Sequence, residues 1–336
     1  MSTVHFEISE TDQALFSSLS QGDAGKFIAE PLSIDNISEA ADAEIITVFI
    51  NSQVTADVID RLPNLKLIVT RSTGFDHIDT SHAKSKGIAV CNVPAYGSRT
   101  VAEFAFALML GLSRKVVEAS MQVEQQNNWD VNSFEGFNLQ GKTLGIVGTG
   151  RIGLNAAQIA KGFDMTILAF DAFPNQDKAT QYGFTYAATL DEVLSQSDVV
   201  TLHVPALPET KHMINKANIS KFKKGALLIN TARGDVVDPE ALLQGLNDGT
   251  LGGAGLDVLA GEQDLKEEAE LMASNKLNLE QMRTLLEDHM LLNHPKVLVT
   301  PHIAFNTTES RQEIIDTTLK NIASFGSGQQ QNVVNS

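Results

Sequence analysis

The chain is poor in cysteine, in cations and in long apolar runs, and each shortage excludes a class of protein. Its 336 residues include one cysteine, so no internal disulfide can form, and we expect a reducing, cytoplasmic setting. Lysine and arginine number 25 against 41 acidic residues, and the net charge of −16 disfavours nucleic acid and anionic membrane surfaces as partners. The longest apolar run, Phe104–Leu112, is far shorter than the roughly 18 residues of a membrane span. We therefore expect a soluble protein.

Short β-branched segments alternate with helical patterns along most of the chain. A chain of this length usually needs more than one hydrophobic core, so two domains are expected. Near-continuous apolar strands flanked by helices predict parallel sheets that are covered on both faces. The predicted class is therefore α/β, with two doubly wound parallel-sheet domains. The predicted strands are Val4–Ile8, Ile45–Ile50, Lys66–Thr70, Ile88–Val90, Thr143–Val147, Thr166–Phe170, Val199–His203, Ala226–Asn230, Gly255–Val258 and Val297–Thr300.

A glycine-rich loop directly follows the predicted strand Thr143–Val147. Its glycines have the spacing G-x-G-x-x-G, in which one allows a tight turn, one lets a pyrophosphate approach the backbone, and one lets the next helix pack on the strand. The N–H groups and positive dipole end of that helix would face the phosphates. The pattern predicts a dinucleotide site, against the alternative of a simple packing turn. The loop residues are Gly148, Thr149, Gly150, Arg151, Ile152 and Gly153.

Asp171 follows the next predicted strand and lies 18 residues after Gly153. The dinucleotide-binding pattern places a carboxylate near this position, where it accepts hydrogen bonds from the ribose hydroxyls. Its charge would repel a 2′-phosphate by up to about 4 kcal/mol at about 4 Å and an effective dielectric near 20. The segment Asp171–Asp177 contains no lysine or arginine to offset this repulsion, so the sequence favours NAD over NADP as the cofactor.

Three ionisable residues stand at predicted strand ends or in the loops that follow them. Arg233 follows one apolar strand, Glu262 lies in the loop after the next strand, and His302 follows the last predicted strand. Ligands of open α/β sheets bind beyond the carboxyl ends of the strands, so these three side chains are expected in one crevice. Glu267 and Glu268 remain alternatives to Glu262.

These residue types suit hydride transfer to or from a 2-keto acid. Negative charge builds on the ketone oxygen during reduction, and a protonated histidine can donate to it, whereas a neutral histidine is the base in the reverse reaction. A neighbouring carboxylate stabilises the imidazolium and orients the ring. An arginine can bind the substrate carboxylate through two hydrogen bonds or stabilise the developing oxyanion. Arg233, Glu262 and His302 thus form a sufficient set without a metal ion.

Several motifs, in the same order along the chain, resemble the D-isomer-specific 2-hydroxyacid dehydrogenase family. The resemblance implies a Rossmann NAD-binding domain, residues 99–300, inserted into a flavodoxin-like substrate domain of residues 1–98 and 301–336. It also implies an active site in the cleft between the domains, and a homodimer. The motifs are Ser72–Asp79, Asn92–Tyr96, Gly148–Gly153, Leu202–Pro205, Thr231–Gly234, Gly255–Val258 and Thr300–Phe305.

The same resemblance implies individual roles for the site residues. Arg233 would bind the substrate carboxylate and polarise the carbonyl group, His302 would be the acid/base, and Glu262 would be its carboxylate partner. The backbone amides of Thr73 and Gly74 would also hold the carboxylate. The D stereochemistry rests on this resemblance alone. The residues that it places around NAD are His203, Val204, Pro205, Thr231, Ala232 and, near the nicotinamide carboxamide, Asp257.

Two aromatic residues resemble those of the D-lactate dehydrogenase branch of the family. Tyr96 would place a hydroxyl near the substrate, and Phe305 would form an apolar wall of the pocket. The 40 residues from Glu262 to His302 are more than the family pattern leads us to expect. Residues 263–295 are predicted to form two amphipathic packing helices with a break near Asn275, which would cap the cleft or contact a second subunit. Their apolar positions are Leu265, Met272, Leu279, Met282, Leu286 and Met290.

Two kinds of alternative function remain open from the sequence. Within the family, the chain could be a glyoxylate or hydroxypyruvate reductase or a phosphoglycerate dehydrogenase. A phosphorylated substrate would require clustered cations near the carboxylate loop, where Arg71 is the obvious one. In a different class, the chain could be an NAD(H)-sensing, corepressor-like binding protein. Such a protein would need a peptide-docking surface, whereas this chain offers a short polar tail and an intact catalytic set.

Overall fold

The computed structural model describes residues 1–20, 24–262, 264–265 and 278–335. The chain divides into two compact units: a first unit of Met1–Tyr96 with Asn306–Ser336, and a second unit of Gly97–Phe305. These boundaries lie two residues before the predicted limit at residue 98 and five residues after the predicted limit at residue 300. His302 therefore belongs to the second unit. No helix in the described ranges is both long and apolar enough to cross a membrane.

The first unit is built on five strands, β1 (Thr3–His5), β2 (Lys26–Phe27), β3 (Ile45–Val48), β4 (Leu67–Thr70) and β5 (Ala89–Cys91). They form one parallel sheet in the flavodoxin-like order β2-β1-β3-β4-β5. Strands β3 and β4 are buried along their whole length, which explains why their sequences are near-continuous apolar runs, broken by Thr47 and Thr70. The helices are α1 (Glu10–Leu19), α2 (Ala56–Asp60), α3 (Thr80–Ser85) and α11 (Thr308–Gly326), with a 3-10 turn at Ile37–Ala40.

The second unit contains a parallel seven-stranded sheet. Its strands are β6 (Thr143–Val147), β7 (Thr166–Phe170), β8 (Thr185–Tyr186), β9 (Val199–Leu202), β10 (Ala226–Asn230), β11 (Leu251–Leu256) and β12 (Val297–Val299). The spatial order β12-β11-β10-β9-β6-β7-β8 is the Rossmann order with one added strand. All strands are parallel, and the sequence of strands switches between β6 and β9, because β7 and β8 lie on one side of β6 and the later strands lie on the other. Its helices are α4 (Ser98–Ser113), α5 (Val116–Gln126), α6 (Arg151–Gly162), α7 (Gln176–Tyr182), α8 (Leu190–Gln196), α9 (Pro239–Asn247) and α10 (Leu279–Leu292), with 3-10 turns at Asn132–Phe134, Ile219–Lys221 and Gly234–Val236.

Both faces of this sheet are buried, so the predicted doubly wound α/β class is confirmed. Leu227 and Ile229 of β10 lie in a core with Phe106 of α4. Leu228, between them, lies in a second core with Leu242 of α9. Because successive residues of a strand point to opposite faces, burial of all three requires a layer of helices on each side.

Strand β11 differs from its prediction because glycines hide it in the sequence. It runs over Leu251–Leu256, whereas the apolar pattern predicts Gly255–Val258. A Cβ at Gly252 would lie 2.5 Å from the Gly225 carbonyl oxygen, and a Cβ at Gly255 would lie 3.0 Å from Leu108 Cβ. The glycines therefore allow close packing around the strand while removing its β-branched signal. The two-residue edge strands β2 and β8 give too short a pattern to be predicted.

The helical prediction for residues 263–295 is tested at its second helix. That helix, α10, begins after Asn278, which forms a capping box with Gln281. Its buried residues include Leu285 and Leu291. The predicted apolar positions on this helix are exposed instead, so the prediction that they pack within the chain is wrong, and a contact with a second subunit stays a prediction. The first helix and the break at Asn275 lie outside the described residues. The exposed positions are Leu279, Met282, Leu286 and Met290.

A buried polar network joins β1, β3 and the loop after β4. Arg71 Nη1 donates to Thr47 Oγ1 at 2.8 Å, and His5 Nδ1 lies 2.9 Å from the same hydroxyl. His5 Nε2 lies 2.8 Å from the Ala24 carbonyl oxygen, so Nε2 carries the proton and the Thr47 hydroxyl donates to Nδ1. Burial, reinforced by the Arg71 charge, lowers the pKa of His5 to about 4. The fold therefore requires a neutral imidazole here.

We predict that acidification destabilises the first unit through His5. Because the pKa of His5 is lowered from 6.5 to about 4 in the folded state, stability that is complete above pH 6.5 is lost as the pH falls toward 4. The expected loss is on the order of 2–3 kcal/mol in the free energy of unfolding by urea between pH 7 and pH 4.5. His5→Gln should reduce this pH dependence, whereas His212→Gln, in the second unit, should retain it. An unchanged dependence in His5→Gln would contradict the assignment.

Candidate active site

The carboxyl ends of six strands lie on one row of the sheet in the second unit. Backbone pairing aligns, from β7 through β6, β9, β10 and β11 to β12, the residues Phe170, Val147, Leu202, Asn230, Leu256 and Val299. In five cases the residue that directly follows the strand is a predicted site residue. In the sixth case the residue that follows the strand lies two positions before His302. These next residues are Asp171, Gly148, His203, Thr231, Asp257 and Thr300.

The glycine loop turns sharply between β6 and α6. Gly148 has a φ of +95°, and a Cβ there would lie 2.7 Å from the His203 carbonyl oxygen. A Cβ at Gly153 would collide with the Gly148 carbonyl oxygen, so the helix could not pack so close to the strand. A Cβ at Gly150, by contrast, would meet no described atom within 4 Å. The loop thus has the turn, the close packing and the open approach that a pyrophosphate site requires.

Asp171 is held beside the glycine loop by hydrogen bonds to its carboxylate. Thr149 donates to Oδ2 from its backbone N–H at 2.6 Å and from its hydroxyl at 2.9 Å. The Phe173 N–H donates to Oδ1 at 2.9 Å, and the Thr149 hydroxyl also lies 2.7 Å from the Tyr186 hydroxyl. These contacts orient the carboxylate at the end of β7, where the ribose of a dinucleotide would approach.

Two buried polar atoms lie at the neighbouring ends of β9 and β10. His203 Nδ1 and Thr231 Oγ1 make no hydrogen bond with any residue that the structure describes. Burial lowers the pKa of His203 to about 4, so its ring is neutral, and its Nε2 lies 3.0 Å from Thr201 Oγ1. Buried polar groups in proteins are nearly always hydrogen-bonded, so these two atoms fit contacts with a polar ligand such as NAD.

Arg233 lies in a loop that Asn230 braces. The Asn230 amide donates to the Arg233 carbonyl oxygen at 2.9 Å, and its own Oδ1 accepts from the Ala232 N–H at 3.0 Å. The guanidinium donates through Nη1 to the Ala232 carbonyl oxygen at 2.9 Å. A Cβ at Gly234 would collide with the Leu259 carbonyl group, so glycine lets this loop pack against the loop after β11. Arg233 is thereby held next to the chain that leads to Glu262.

Asp257 organises the loop that carries His302. Its Oδ1 accepts from the Thr300 hydroxyl at 2.6 Å and the Ile303 N–H at 3.0 Å, and its Oδ2 accepts from the Ala304 N–H at 2.8 Å. Its carbonyl oxygen accepts from the His302 N–H at 2.9 Å. His302 has a φ of +54°, a left-handed conformation that costs on the order of 1 kcal/mol or more for a residue with a Cβ. Burial raises the pKa of Asp257, and its hydrogen bonds oppose that rise.

His302 and Glu262 form a direct pair across 40 residues of sequence. His302 Nδ1 lies 2.8 Å from Glu262 Oε1, and both side chains are partly buried. The contact orients the imidazole and places a carboxylate where it stabilises the protonated ring. Nε2 is then the ring nitrogen left for proton exchange. The alternative acids Glu267 and Glu268 lie outside the described residues.

The first unit holds a separate set of predicted residues. The Ser72 hydroxyl donates to the carbonyl oxygen of residue 74 at 2.6 Å, and the Asn92 amide donates to the carbonyl oxygen of residue 73 at 2.8 Å. The Ser310 hydroxyl donates to the carbonyl oxygen of residue 96 at 3.0 Å. Hydrogen bonds within the first unit thus hold the backbone at residues 73, 74 and 96. Contact of these residues with substrate stays a prediction. The residues concerned are Thr73, Gly74 and Tyr96.

The other predicted residues lie in the second unit. Val204 borders the glycine loop, since a Cβ at Gly148 would lie 3.0 Å from its Cγ1. The Pro205 carbonyl oxygen accepts from the Thr210 hydroxyl at 2.6 Å. Phe305 is half-buried and follows the loop that Asp257 organises. Their contacts with NAD or substrate stay predictions.

Three supporting residues were not predicted from the sequence. Asn230 braces the arginine loop, Tyr186 contacts the threonine that holds Asp171, and Asp288 of α10 accepts the Gly261 N–H at 2.8 Å. Asn230 had a usable signal, because a polar residue that ends an apolar strand often hydrogen-bonds the following turn. The other two had none, since their roles depend on distant parts of the chain.

The chain resembles known enzymes over most of its length. Residues 106–304 match the family model described as D-isomer specific 2-hydroxyacid dehydrogenase, NAD binding domain. A glycerate dehydrogenase from Methylorubrum extorquens is 38% identical over 285 residues, which cover 83% of this chain and 82% of that protein. A putative D-lactate dehydrogenase from Dictyostelium discoideum is 33% identical over 317 residues, which cover 92% and 89%. The structure of a D-lactate dehydrogenase from Aquifex aeolicus, complexed with NAD and lactic acid, has a TM-score of 0.86 at 35% identity over 99% of both chains.

A dinucleotide loop on a Rossmann sheet and an adjoining histidine–glutamate pair are typical of NAD-dependent oxidoreductases. The chain belongs to the D-isomer-specific 2-hydroxyacid dehydrogenase family, which confirms the resemblance found in the motifs. It is therefore an NAD-dependent D-2-hydroxyacid dehydrogenase, and the prediction of NAD as the cofactor is confirmed. Membership of this family of oxidoreductases leaves no support for the alternative of a corepressor-like sensor.

We predict that Asp171→Ala raises the use of NADP relative to NAD. The substitution removes the charge that would repel a 2′-phosphate and the predicted acceptor for the ribose hydroxyls, so the ratio of kcat/KM for NADP to that for NAD should rise about tenfold or more. Steady-state kinetics with both cofactors measure this ratio. Asp177→Ala removes an exposed acid six residues further on and should leave the ratio unchanged. An unchanged ratio in Asp171→Ala would refute the ribose assignment.

Proposed function

We propose that this enzyme interconverts a small, unphosphorylated 2-keto acid of the pyruvate class and its D-2-hydroxy acid, as D-lactate dehydrogenases do. The observation that carries the proposal is the His302–Glu262 pair, with Nδ1 and Oε1 2.8 Å apart, on the same sheet edge as the dinucleotide loop. A pair of this kind supplies the proton that reduction of a ketone consumes.

His302 is assigned the proton transfer and Arg233 the substrate carboxylate. NAD, when bound, supplies or accepts the hydride. During reduction, the protonated Nε2 of His302 donates its proton to the carbonyl oxygen while C2 receives the hydride. In the reverse direction, neutral His302 accepts the hydroxyl proton, and Glu262 stabilises the imidazolium that forms. Arg233 binds the carboxylate and stabilises negative charge on the reacting oxygen.

The surroundings of Arg71 favour an unphosphorylated substrate. Arg71 is the sole lysine or arginine of the segment Arg71–Asp79, which contains the expected carboxylate loop. Its side chain is buried, and its guanidinium donates to Thr47 Oγ1 and to the carbonyl oxygens of Phe6 and Glu7, at 2.6–2.9 Å. These hydrogen bonds hold the guanidinium inside the first unit, so the charge of Arg71 stabilises the fold and is not available to bind a phosphate.

The choice among small acids rests on the two aromatic residues and on the relatives. Tyr96 and Phe305 resemble the D-lactate dehydrogenase branch, and a D-lactate dehydrogenase is among the most similar solved structures. Similarity to a glycerate dehydrogenase, at 38% identity, and to a hydroxypyruvate reductase and a glyoxylate reductase, at 34% and 36%, supports hydroxypyruvate or glyoxylate as the second candidate substrate class. Both classes need the same proton transfer and the same carboxylate binding, so only the pocket wall distinguishes them.

We also propose that the enzyme is a homodimer, as the family resemblance implies. The long helix α4 buries residues such as Ala105, Phe106 and Met109 within the second unit, which leaves little of its apolar face for a subunit contact. Exposed apolar side chains lie after it, at Trp129 (75% exposed) and Val131 (78% exposed). An exposed tryptophan is among the residues that most often anchor interfaces, so this segment is the better candidate for a subunit contact.

We predict that His302→Ala lowers kcat by about 10²–10⁴-fold, because the variant has no group to donate the proton. Its affinity for NADH, measured by fluorescence titration, should be nearly unchanged, since the dinucleotide loop is untouched. The matched control is His294→Ala, which removes a partly buried histidine before β12 and should keep most of the turnover. Turnover in His302→Ala equal to that of the wild type would refute the proposed mechanism.

We predict that pyruvate has the highest kcat/KM in a panel with phenylpyruvate, hydroxypyruvate and glyoxylate. A small apolar C3 group suits a pocket lined by Phe305, whereas a pocket built for hydroxypyruvate would need a polar partner for its hydroxyl. NADH oxidation at 340 nm measures each rate. A tenfold preference for hydroxypyruvate or glyoxylate would replace the pyruvate assignment with the second candidate.

A further inference from the structure

Helix α10 places a buried carboxyl group beneath the loop that carries Glu262. The side chain of Asp288 is fully buried, at 0% exposure, and its Oδ2 accepts the Gly261 N–H at 2.8 Å. Gly261 directly precedes Glu262 in the chain. A Cβ at Gly261 would itself lie 2.8 Å from that oxygen, so the glycine allows the backbone to approach the carboxyl group closely.

Burial of the Asp288 side chain at this position lowers the stability of the fold. Its second oxygen, Oδ1, has no hydrogen-bond partner among the described residues. Burial, with the nearby charges of Glu287 and Glu262, raises the pKa of Asp288 to about 6, against the opposing effects of the Gly261 hydrogen bond and His289. Burying an ionisable group that is only partly hydrogen-bonded disfavours folding, so packing alone does not explain an aspartate at this position.

A second contact from the same helix lies on the other side of Glu262. Gln281 Nε2 lies 3.3 Å from both carboxylate oxygens of Asp264, two residues after Glu262. Helix α10 is itself held by burial of Leu285 and Leu291. Helix α10 therefore contacts the chain on both sides of Glu262, through the backbone N–H of Gly261 on one side and the side chain of Asp264 on the other.

We propose that Asp288 is a positioning residue, which holds the Gly261 amide so that the Glu262 carboxylate meets His302 Nδ1. The proposal rests on the proposed catalytic role of the His302–Glu262 pair. Asp288 does not touch substrate or cofactor in this scheme. Loss of its carboxyl group would leave the Gly261 N–H buried without a partner, and the loop would move to satisfy it. Glu262 would then stabilise the imidazolium of His302 less well.

The test compares Asp288→Leu with Asp288→Asn. Leucine removes the hydrogen-bond acceptor of the Gly261 N–H, so kcat should fall about tenfold. Because Glu262 would then stabilise the imidazolium of His302 less well, the limb of the kcat/KM pH profile that reports His302 should shift toward lower pH, by about half a pH unit or more. Asparagine keeps an acceptor oxygen and should retain kcat within about twofold. The matched control Leu291→Ala removes packing from the same helix and should lower Tm without moving the pH profile. A shift in Leu291→Ala as large as that in Asp288→Leu would overturn the proposal.

A double-mutant cycle shows whether the effect passes through Glu262. In a Glu262→Gln background, adding Asp288→Leu should cost less than about twofold in kcat, because the carboxylate it positions is already absent. Gly261→Ala, whose Cβ would push against the Asp288 carboxyl group, should reproduce the loss and provides an independent variant if Asp288→Leu does not fold. An equal loss of kcat in both backgrounds overturns the proposal. Full activity of Glu262→Gln alone would instead refute the proposed catalytic pair itself.

Discussion

The active-site edge of this enzyme depends on the backbone register of one parallel sheet. Hydrogen bonding between neighbouring strands aligns six carboxyl ends, from Phe170 at the end of β7 to Val299 at the end of β12. Parallel strands point in the same direction, so the loop after each of them leaves from the same edge. Residues far apart in the chain, such as Gly148 and His302, therefore share that edge without any direct contact between them.

Buried polar side chains then fix the conformations of the loops that leave this edge. Asp257 holds the histidine loop through bonds to Thr300, Ile303 and Ala304, and Asn230 holds the arginine loop. The left-handed conformation of His302 persists because the loop is bonded on both sides of it. The loops owe their order to hydrogen bonds inside the second unit, so the side chains proposed to be catalytic are oriented by the protein before a substrate arrives.

Some of this organisation was predictable, for identifiable reasons. The glycine spacing and Asp171 are short-range patterns, because a tight turn and a strand-end acid follow directly from local backbone geometry. The approach of His302 and Glu262 to one crevice could be expected from their places after predicted strands, and their direct pairing was implied by the family resemblance. Strand β11 was misplaced because its glycines, required by close packing, carry no strand signal. The predicted packing of α10 within the chain was wrong at Leu279 and Met282, which are apolar but 86% and 49% exposed. Apolar spacing predicts an apolar helix face, but it does not show which segment covers that face.

The amino-acid sequence by itself determined the fold class and the cofactor, and it predicts the chemical types of the catalytic residues. These depend on local features, namely apolar strands, glycine spacing and ionisable residues at strand ends. The tertiary structure alone decided that Arg71 is committed to the fold, that Asp257 organises the histidine loop, and that Asp288 lies beneath Glu262. The reason is physical: the environment of a charged side chain depends on which distant segments exclude water from it, and no local pattern records those segments.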